Sequence, residues 1–324
     1  MIKGSRNSSG NKQVFFTIKS TPVKRLFKEE NIVRLFGNNR YDTSIAAADA
    51  LKKGENISKF NSVIVADGRN YADALAGTYL AKVKGAPILV VGNDNVSQSN
   101  IRSYIKNNLN ENGTVYILGG AGAVSAEFEK SLSGCIIKRL GGSDRFETNL
   151  KILKEAGVTG EDILVCSGLG FADSLSASAV GKPILLVGTK LTTEQNVYLS
   201  KLKTNRYYII GGEGAVNPTV ESSLKRLGTV SRVSGQNRYE TSVAVAEEFF
   251  GGNTEAVVMA YGLNFPDGLS GGPLAMSIGS PLLLVTSSDY RAASVYAHKY
   301  GINKGAVLGG RSLISDEAVK KILT

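Results

Sequence analysis

The sequence predicts an α/β protein of three tandem modules with mostly parallel sheets, and three observations lead to this prediction. A ten-residue motif occurs three times, at 34–43, 139–148 and 232–241. Short apolar runs alternate with helix-like segments after each copy. These runs are continuously apolar, as in strands that are buried on both faces. Strands separated by helices form parallel sheets through crossover connections.

The motif opens each module. Its copies read RLFGNNRYDT, RLGGSDRFET and RVSGQNRYET, so Arg, Gly, Arg, an aromatic residue, an acidic residue and Thr keep their places. We predict that a helix begins near the last residue of each copy, which is Thr43, Thr148 or Thr241. A threonine side chain can accept a hydrogen bond from a free backbone N–H group at a helix start.

The elements after this helix recur in a fixed order. The first strand is predicted within 62–66, 163–166 and 256–260, and an aromatic-x-Asp loop and a helix of small residues follow it. A Gly-X-Pro sequence opens the second strand. A further helix, such as 97–109 with its apolar side chains on one face, leads to a third strand that ends in two glycines. The second module is four residues shorter between Asp173 and Pro183, which predicts a deletion in the small-residue helix or its loop.

These elements divide the chain into four parts. We predict a basic tail or linker at 1–31 and modules at 32–135, 136–229 and 230–324. Residues 1–33 carry seven Lys or Arg and two Glu, so half of the net charge of +10 lies in the tail. Nucleic acid is not predicted as a partner, because no basic helix and no interleaved basic and stacking residues occur.

No membrane span or secretion signal is recognisable. No apolar stretch approaches the roughly 18 residues that span a bilayer. The apolar run Val14–Ile18 is only five residues long and lacks a cleavage pattern after it, so it does not resemble a signal peptide. The two cysteines, Cys135 and Cys166, lie in or beside apolar runs of different modules and are interpreted as free thiols.

The recurrent arginines are the first candidate site residues. Arg40, Arg145 and Arg238 each precede an aromatic residue, and a guanidinium group offers a planar fork of donors that matches phosphate or carboxylate. The alternative is an ion pair with the loop aspartate of the same or a neighbouring module. Arg34, Arg139 and Arg232 have the same two interpretations, with a module interface as the structural one. Arg69 and Arg311 do not recur, so each would tune a single site.

The loop aspartates and the paired glycines are the second set of candidates, as structural or site-lining residues. Asp73, Asp173 and Asp267 are expected to cap the small-residue helix that follows them. The second glycines of the pairs are Gly120, Gly212 and Gly310. They suggest a phosphate-binding loop before a helix that starts near Ser125, Asn217 or Ser315. Tight turning is the competing explanation, since the G-x-G-x-x-G pattern is absent.

Together these features resemble the cell wall binding repeat 2 family of clostridial surface-layer and cell-wall proteins. The resemblance rests on the triplicated R-x-x-G-x-x-R-[YF]-[DE]-T motif, the aromatic-x-Asp loop, the Gly-X-Pro strand and the Gly-Gly strand end. It implies three Rossmann-like or Toprim-like modules packed as an intramolecular pseudo-threefold trimer. It also implies noncovalent anchoring at the cell surface through an anionic secondary wall polysaccharide, with other surface-layer proteins as further partners. The missing signal peptide and effector region then suggest a fragment of a longer protein.

Two other functions are weighed against wall binding. A zinc-dependent wall amidase needs several convergent ligands, and the chain has one histidine, His298, in the third module only. A nucleotide-binding α/β enzyme needs a phosphate fingerprint, which the glycine loops do not match. We therefore predict a binding protein without catalytic residues, metal or cofactor.

Overall fold

The computed structural model describes residues 21–204 and 206–324, together with two short strands, β1 (Lys3–Gly4) and β2 (Phe16–Thr17), which pair antiparallel. The rest of the predicted basic tail up to residue 20 lies outside the described residues. The remaining strands are β3 (Ile32–Leu35), β4 (Phe60–Asp67), β5 (Ile88–Val91), β6 (Leu109–Leu118), β7 (Ile136–Leu140), β8 (Ile163–Ser167), β9 (Ile184–Val187), β10 (Arg206–Ile210), β11 (Thr229–Val233), β12 (Val257–Tyr261), β13 (Leu282–Val285) and β14 (Gly305–Leu308).

Helices connect these strands. In the third module, a 3-10 turn at Pro266–Gly268 takes the place of the short helix that follows the equivalent strand in the other two. The helices are α1 (Pro22–Leu26), α2 (Arg40–Glu55), α3 (Ala72–Ala76), α4 (Thr78–Lys84), α5 (Asn95–Asn108), α6 (Ala126–Lys130), α7 (Arg145–Glu155), α8 (Ala172–Ala177), α9 (Thr193–Leu199), α10 (Pro218–Leu224), α11 (Arg238–Phe249), α12 (Gly271–Ser277), α13 (Arg291–Lys299) and α14 (Asp316–Leu323). Within the described residues, no helix is long and apolar enough to cross a membrane.

Twelve of the strands form three four-stranded sheets, and every strand pairing within them is parallel. Their strand orders are β5-β4-β6-β7, β9-β8-β10-β11 and β13-β12-β14-β3. The central strands are buried on both faces, from Val63 in β4 to Val307 in β14. The predicted α/β fold of three modules is confirmed.

The fourth strand of each sheet comes from the next copy of the motif. Strand β7, which carries Arg139, pairs with β6 of the first sheet, and β11, which carries Arg232, pairs with β10 of the second. Strand β3 carries Arg34 and pairs with β14, so that Leu308 lies opposite Leu35. The first described strand after the tail therefore completes the last sheet. The three modules form a closed ring in which each lends a strand to the one before it.

The motif helices begin earlier than predicted. Helices α2, α7 and α11 start at the motif's second arginine, and their N-caps are Asn39, Asp144 and Asn237. Each cap side chain accepts hydrogen bonds from the backbone N–H groups two and three residues later. Asn and Asp are stronger N-caps than Thr, which explains the difference. The motif threonines lie one turn inside the helix.

Part of the predicted linker is folded. Helix α1 lies inside the segment assigned to the tail and packs on α2. Its apolar residues Val23 and Leu26, together with Phe27, are buried. Thr21 caps its first turn and Pro22 occupies the first helical position, where a missing N–H group costs nothing.

The shorter second module lacks one helix. The first module has α3 and α4 between its loop and its second strand, whereas the second module has only α8 before Pro183. The predicted deletion in this helical region is confirmed. Both cysteines are free thiols, as predicted; Cys166 is buried in β8 and Cys135 is half-buried.

The modules meet around three aromatic rings. Tyr71, Phe171 and Phe265 come from the equivalent aromatic-x-Asp loops, and their ring centroids lie 5.5–6.1 Å apart. Helix α3 packs on α7, α8 packs on α11, and α12 packs on α2, so each contact repeats around the ring. Such edge-to-face aromatic clusters add stability beyond their buried area. The arrangement agrees with the pseudo-threefold packing that the family resemblance implied.

Candidate functional site

The motif forms a tight loop between a strand and a helix. The N–H groups of Gly37, Gly142 and Gly235 donate to the hydroxyl of the motif threonine six residues later, at 2.9–3.2 Å. A Cβ atom on any of these glycines would lie 2.2–2.5 Å from the Cβ of the motif's acidic residue. The motif thus needs glycine because the loop folds against the first turn of the helix. This loop carries the second arginine to the carboxyl edge of the sheets, where ligands of α/β proteins usually bind.

The first arginine of the motif fastens the Gly-Gly loop of the neighbouring strand. The Arg34 guanidinium donates to Gly309 O at 3.0 Å and to Ile314 O at 2.9 Å, and it pairs with Asp316 at 2.9 Å. Arg139 and Arg232 make the equivalent contacts. These arginines therefore act within one sheet, across its last two strands, and most of their donors are occupied.

The two glycines of each pair have different environments. The first ones, Gly119, Gly211 and Gly309, have φ values of +93°, +107° and +103° and lie against the loop aspartate of the same module. The second ones face open space: a Cβ atom on Gly120 or Gly212 would meet nothing within 4 Å, and one on Gly310 only Ser312 Oγ at 3.9 Å. Tight turning explains the first glycine, whereas the second exposes its backbone.

The second arginine of the motif reaches into the preceding module. Arg145 donates to the Tyr71 hydroxyl at 3.1 Å and its guanidinium lies 5.5 Å from the Tyr71 ring centroid. Arg238 lies 5.5 Å from the Phe171 ring centroid in the same way. Each of the three arginines also donates to a backbone carbonyl of its own module, that of Gly68, Gly168 or Gly262. They are held at the module interfaces.

Three equivalent sites result, one at each module interface, and those at the second and third interfaces are open clefts. We call them the first cleft (Asp73, Arg145), the second cleft (Asp173, Gly212, Arg238) and the third cleft (Asp267, Gly310, Arg40). The second cleft has a volume of about 530 Å³ and the third of about 340 Å³. Each cleft brings the aspartate and Gly-Gly loop of one module together with the motif loop of the next.

The predicted pairing of arginine and aspartate is electrostatic and not a direct ion pair. Within residues 21–204 and 206–324, no nitrogen of Arg40, Arg145 or Arg238 lies within 4.0 Å of a loop aspartate oxygen. Burial raises the pKa of Asp73 and Asp173, and the charges of Arg145 and Arg238 in the following module nevertheless oppose this rise. The structure leaves space between the two charges.

The aspartates lie inside the first turn of the short helices and not before it, which corrects the predicted capping position. The N-caps of α3 and α8 are Tyr71 and Phe171, and these form no side-chain capping hydrogen bond. Burial raises the pKa of Asp73 and Asp173 to about 6, and the arginines oppose this rise. Burial also raises the pKa of Asp267, against the hydrogen bond from Thr43 and the charge of Arg40.

These raised pKa values predict a pH-dependent stability. Between about pH 4 and pH 6 the folded chain binds more protons at these aspartates than the unfolded chain, whose aspartate pKa is about 3.9. Their contribution to stability therefore increases as the pH falls from 7 toward 4. We expect Asp173→Asn to flatten this increase, as measured by urea unfolding at pH 7, 6 and 5. Glu213→Gln, an exposed carboxylate of the same cleft, is the control, and equal slopes for both variants would contradict the assignment.

The cap residues Asn39 and Asn237 are site residues that the sequence did not predict. Asn39 and Asn237 line the third and second clefts, and the signal for them was the polar residue that precedes each arginine in the motif. His298 is exposed on α13, away from the clefts. Within the described residues, no group of three His, Cys, Asp or Glu side chains is arranged to hold a metal ion.

Comparison with proteins of known sequence agrees with the repeated architecture. N-acetylmuramoyl-L-alanine amidase LytC of Bacillus subtilis (strain 168) is 27% identical over 274 residues, which are 82% of this chain and 53% of LytC. The amidase enhancer of the same organism is 30% identical over 266 residues, which are 81% of this chain and 36% of the enhancer. The chain thus spans about half of the one relative and about a third of the other.

Solved structures share the fold over nearly the whole chain. Cwp6 from Clostridium difficile superimposes with a TM-score of 0.78 at 23% identity, covering 100% of this chain and 51% of Cwp6. Cwp8 from Clostridium difficile gives a TM-score of 0.78 at 29% identity, covering 91% of this chain and 51% of Cwp8. The sequence model of one family matches residues 34–129, 139–221 and 232–319, one segment for each motif copy. The chain is therefore a cell-wall-associated protein that belongs to the Cell wall binding domain 2 (CWB2) family.

Proposed function

We propose that this chain anchors a surface protein noncovalently to the Gram-positive cell wall by binding an anionic secondary polysaccharide of the wall. The observation that carries the proposal is the make-up of the second and third clefts. Each combines an arginine from one module with an open Gly-Gly backbone from the module before it. A guanidinium group beside exposed backbone suits a phosphate or carboxylate on a flexible polymer.

The arginines that face the clefts retain free donors. Within the described residues, the Arg40 and Arg238 guanidinium groups each donate through Nη1 to one carbonyl and to no other acceptor. These arginines also occupy the first turns of α2 and α11, where the helix dipole adds positive potential. We assign direct polymer contact to Arg40 and Arg238. Arg145 occupies the equivalent position at the first interface. Arg34, Arg139 and Arg232 support binding by holding the Gly-Gly loops in place.

Several weak clefts on one rigid ring suit a long repetitive ligand. Once one acidic group is bound, the next lies at a high effective concentration near the next cleft, so avidity exceeds the affinity of any single site. In this proposal the chain itself binds the wall and does not hydrolyse peptidoglycan. Other surface-layer proteins remain predicted partners.

Co-sedimentation with wall sacculi tests the partner class. We expect the chain to bind intact sacculi and to lose binding after acid extraction of their anionic polysaccharide. Binding should also weaken as salt rises from about 0.05 to 0.5 M, because exposed charge contacts are screened. The turbidity of the sacculi should stay constant. Equal binding to extracted sacculi would point to peptidoglycan and contradict the proposal.

Charge removal tests the clefts. We expect the double variant Arg40→Gln/Arg238→Gln to bind intact sacculi about 100-fold more weakly, since two linked sites are lost together. The matched control is Arg206→Gln/Arg226→Gln, which removes two exposed arginines at the amino edge of the second sheet, opposite the clefts. Both variants should keep the wild-type melting temperature to within a few degrees. Equal losses in the two variants would show that bulk charge, and not the clefts, binds the wall.

A further inference from the structure

The three clefts differ at two positions near the ends of the equivalent strands β4, β8 and β12. The last residue of the strand is Asp67 in the first cleft, Ser167 in the second and Tyr261 in the third. Two residues later the chain has Arg69 in the first cleft, and leucines at the equivalent positions in the others. Those leucines, Leu169 and Leu263, are 64% and 58% exposed.

Arg69 bridges two segments of the first module that line the first cleft. Its Nε and Nη2 atoms donate to the two oxygens of Asp67 at 2.8 and 3.0 Å, so the pair is bidentate. Nη2 also lies 3.3 Å from the carbonyl oxygens of Gly122 and Ala123 in the loop after the paired glycines. The side chain therefore ties the strand end to the Gly-Gly loop, across the face that is open in the other two clefts.

An incoming anion would meet a different environment in this cleft. Asp67 is only 7% exposed, and it depends on Arg69 for its charge partner. An acidic group that drew Arg69 away would leave the Asp67 carboxylate buried and unpaired, which is strongly unfavourable. Arg145 is also more fully engaged than its equivalents, since Nη1 contacts both the Tyr71 hydroxyl and Gly168 O. In the second and third clefts, neutral side chains replace the Asp–Arg pair.

We infer that the chain binds acidic groups in two of its three clefts, and that Arg69 closes the first. This inference rests on the proposed function, because it concerns the same ligand at the same kind of site. The ring then has two anion sites at adjacent interfaces, both of which involve the third module. The first interface serves as a permanently joined seam between the first and second modules.

Single substitutions of the three equivalent arginines test this inference on intact sacculi. We expect Arg40→Gln and Arg238→Gln each to weaken binding about tenfold. Arg145→Gln is expected to change binding less than about twofold, although it removes the same charge from an equivalent position. Melting temperatures check that each variant is folded. Arg145→Lys, which keeps the charge, serves as a second variant if the glutamine variant is unstable.

Opening the first cleft provides the complementary test. The double variant Asp67→Ser/Arg69→Leu gives this cleft the residues of the second one and leaves no unpaired charge. We expect it to bind intact sacculi several-fold more tightly than the wild type. In this background Arg145→Gln should weaken binding about tenfold.

The outcomes separate the inference from the proposed function. If Arg145→Gln in the wild-type background weakens binding as much as the other two substitutions, all three clefts bind and the inference is wrong, while the proposed function stands. The inference also fails if the opened cleft neither strengthens binding nor makes Arg145 necessary. If none of the three arginines affects binding of folded protein, the assignment of the clefts in the proposed function fails as well.

Discussion

Replacing Arg34 with Met is expected to lower the free energy of unfolding by about 2–4 kcal/mol. The side chain of Arg34 is 8% exposed and makes two backbone hydrogen bonds and one ion pair to the third module. Met keeps much of the apolar contact but leaves the carbonyls of Gly309 and Ile314 without this donor. Because β3 completes the third sheet, the loss also weakens the closure of the ring. Urea unfolding followed by circular dichroism measures the change.

Arg311→Met is the matched control for this substitution. Arg311 pairs with the same aspartate, Asp316, at 2.6 Å, but its side chain is 65% exposed. Exposed ion pairs contribute little to stability, so we expect a change of less than about 1 kcal/mol. If both variants lost equal stability, the shared Asp316 pair, and not the carbonyl contacts of Arg34, would hold the loop.

Replacing Gly211 with Ala is the second change with a large expected effect, a loss of about 2–4 kcal/mol. The residue has a φ of +107°, which disfavours any side chain, and a Cβ atom would lie 2.3 Å from Asp173 Oδ2. Asp173 is packed at the module interface, so it cannot retreat without disturbing the second cleft. We therefore expect Gly211→Ala to reduce both stability and binding to sacculi.

The neighbouring glycine provides the control within the same turn. A Cβ atom on Gly212 would meet nothing within 4 Å, and its φ lies outside the left-handed region. Gly212→Ala should change the free energy of unfolding by less than about 0.5 kcal/mol. If it nevertheless weakens binding, the open face of Gly212 contacts the ligand. Equal destabilisation by the two substitutions would contradict the roles assigned to the two glycines.

Local patterns were enough to predict most of the secondary structure. The helix predicted within 97–109 is α5, with Ile101, Tyr104 and Ile105 buried, because its apolar residues recur at helical spacing. The helices after the Gly-Gly loops start after Ser125, Asn217 and Ser315 as predicted, since these residues are good N-caps. The motif helices were placed too late because two capping residues lie close together in the motif, and the stronger one is used.

The partners of the motif residues could not be predicted in the same way. Both arginines of the motif recur in all three copies, so the repeat alone could not distinguish their roles. The first arginine turned out to act within a sheet and the second at a module interface, because β3, β7 and β11 pair with the preceding sheet. That pairing is a long-range contact, and no local pattern records which sheet an end strand joins.

The sequence by itself determined that this protein has three copies of one α/β unit, the order of most of their strands and helices, and which residues recur. These properties follow from short-range preferences such as apolar periodicity, helix capping and the demand of tight turns for glycine. Only the tertiary structure decided that the modules form a closed ring and that each arginine reaches the aspartate loop of its neighbour. It alone showed that Arg69 ties the end of its strand to the Gly-Gly loop of the same module. Those features depend on distances between residues far apart in the chain, which packing sets and local sequence does not.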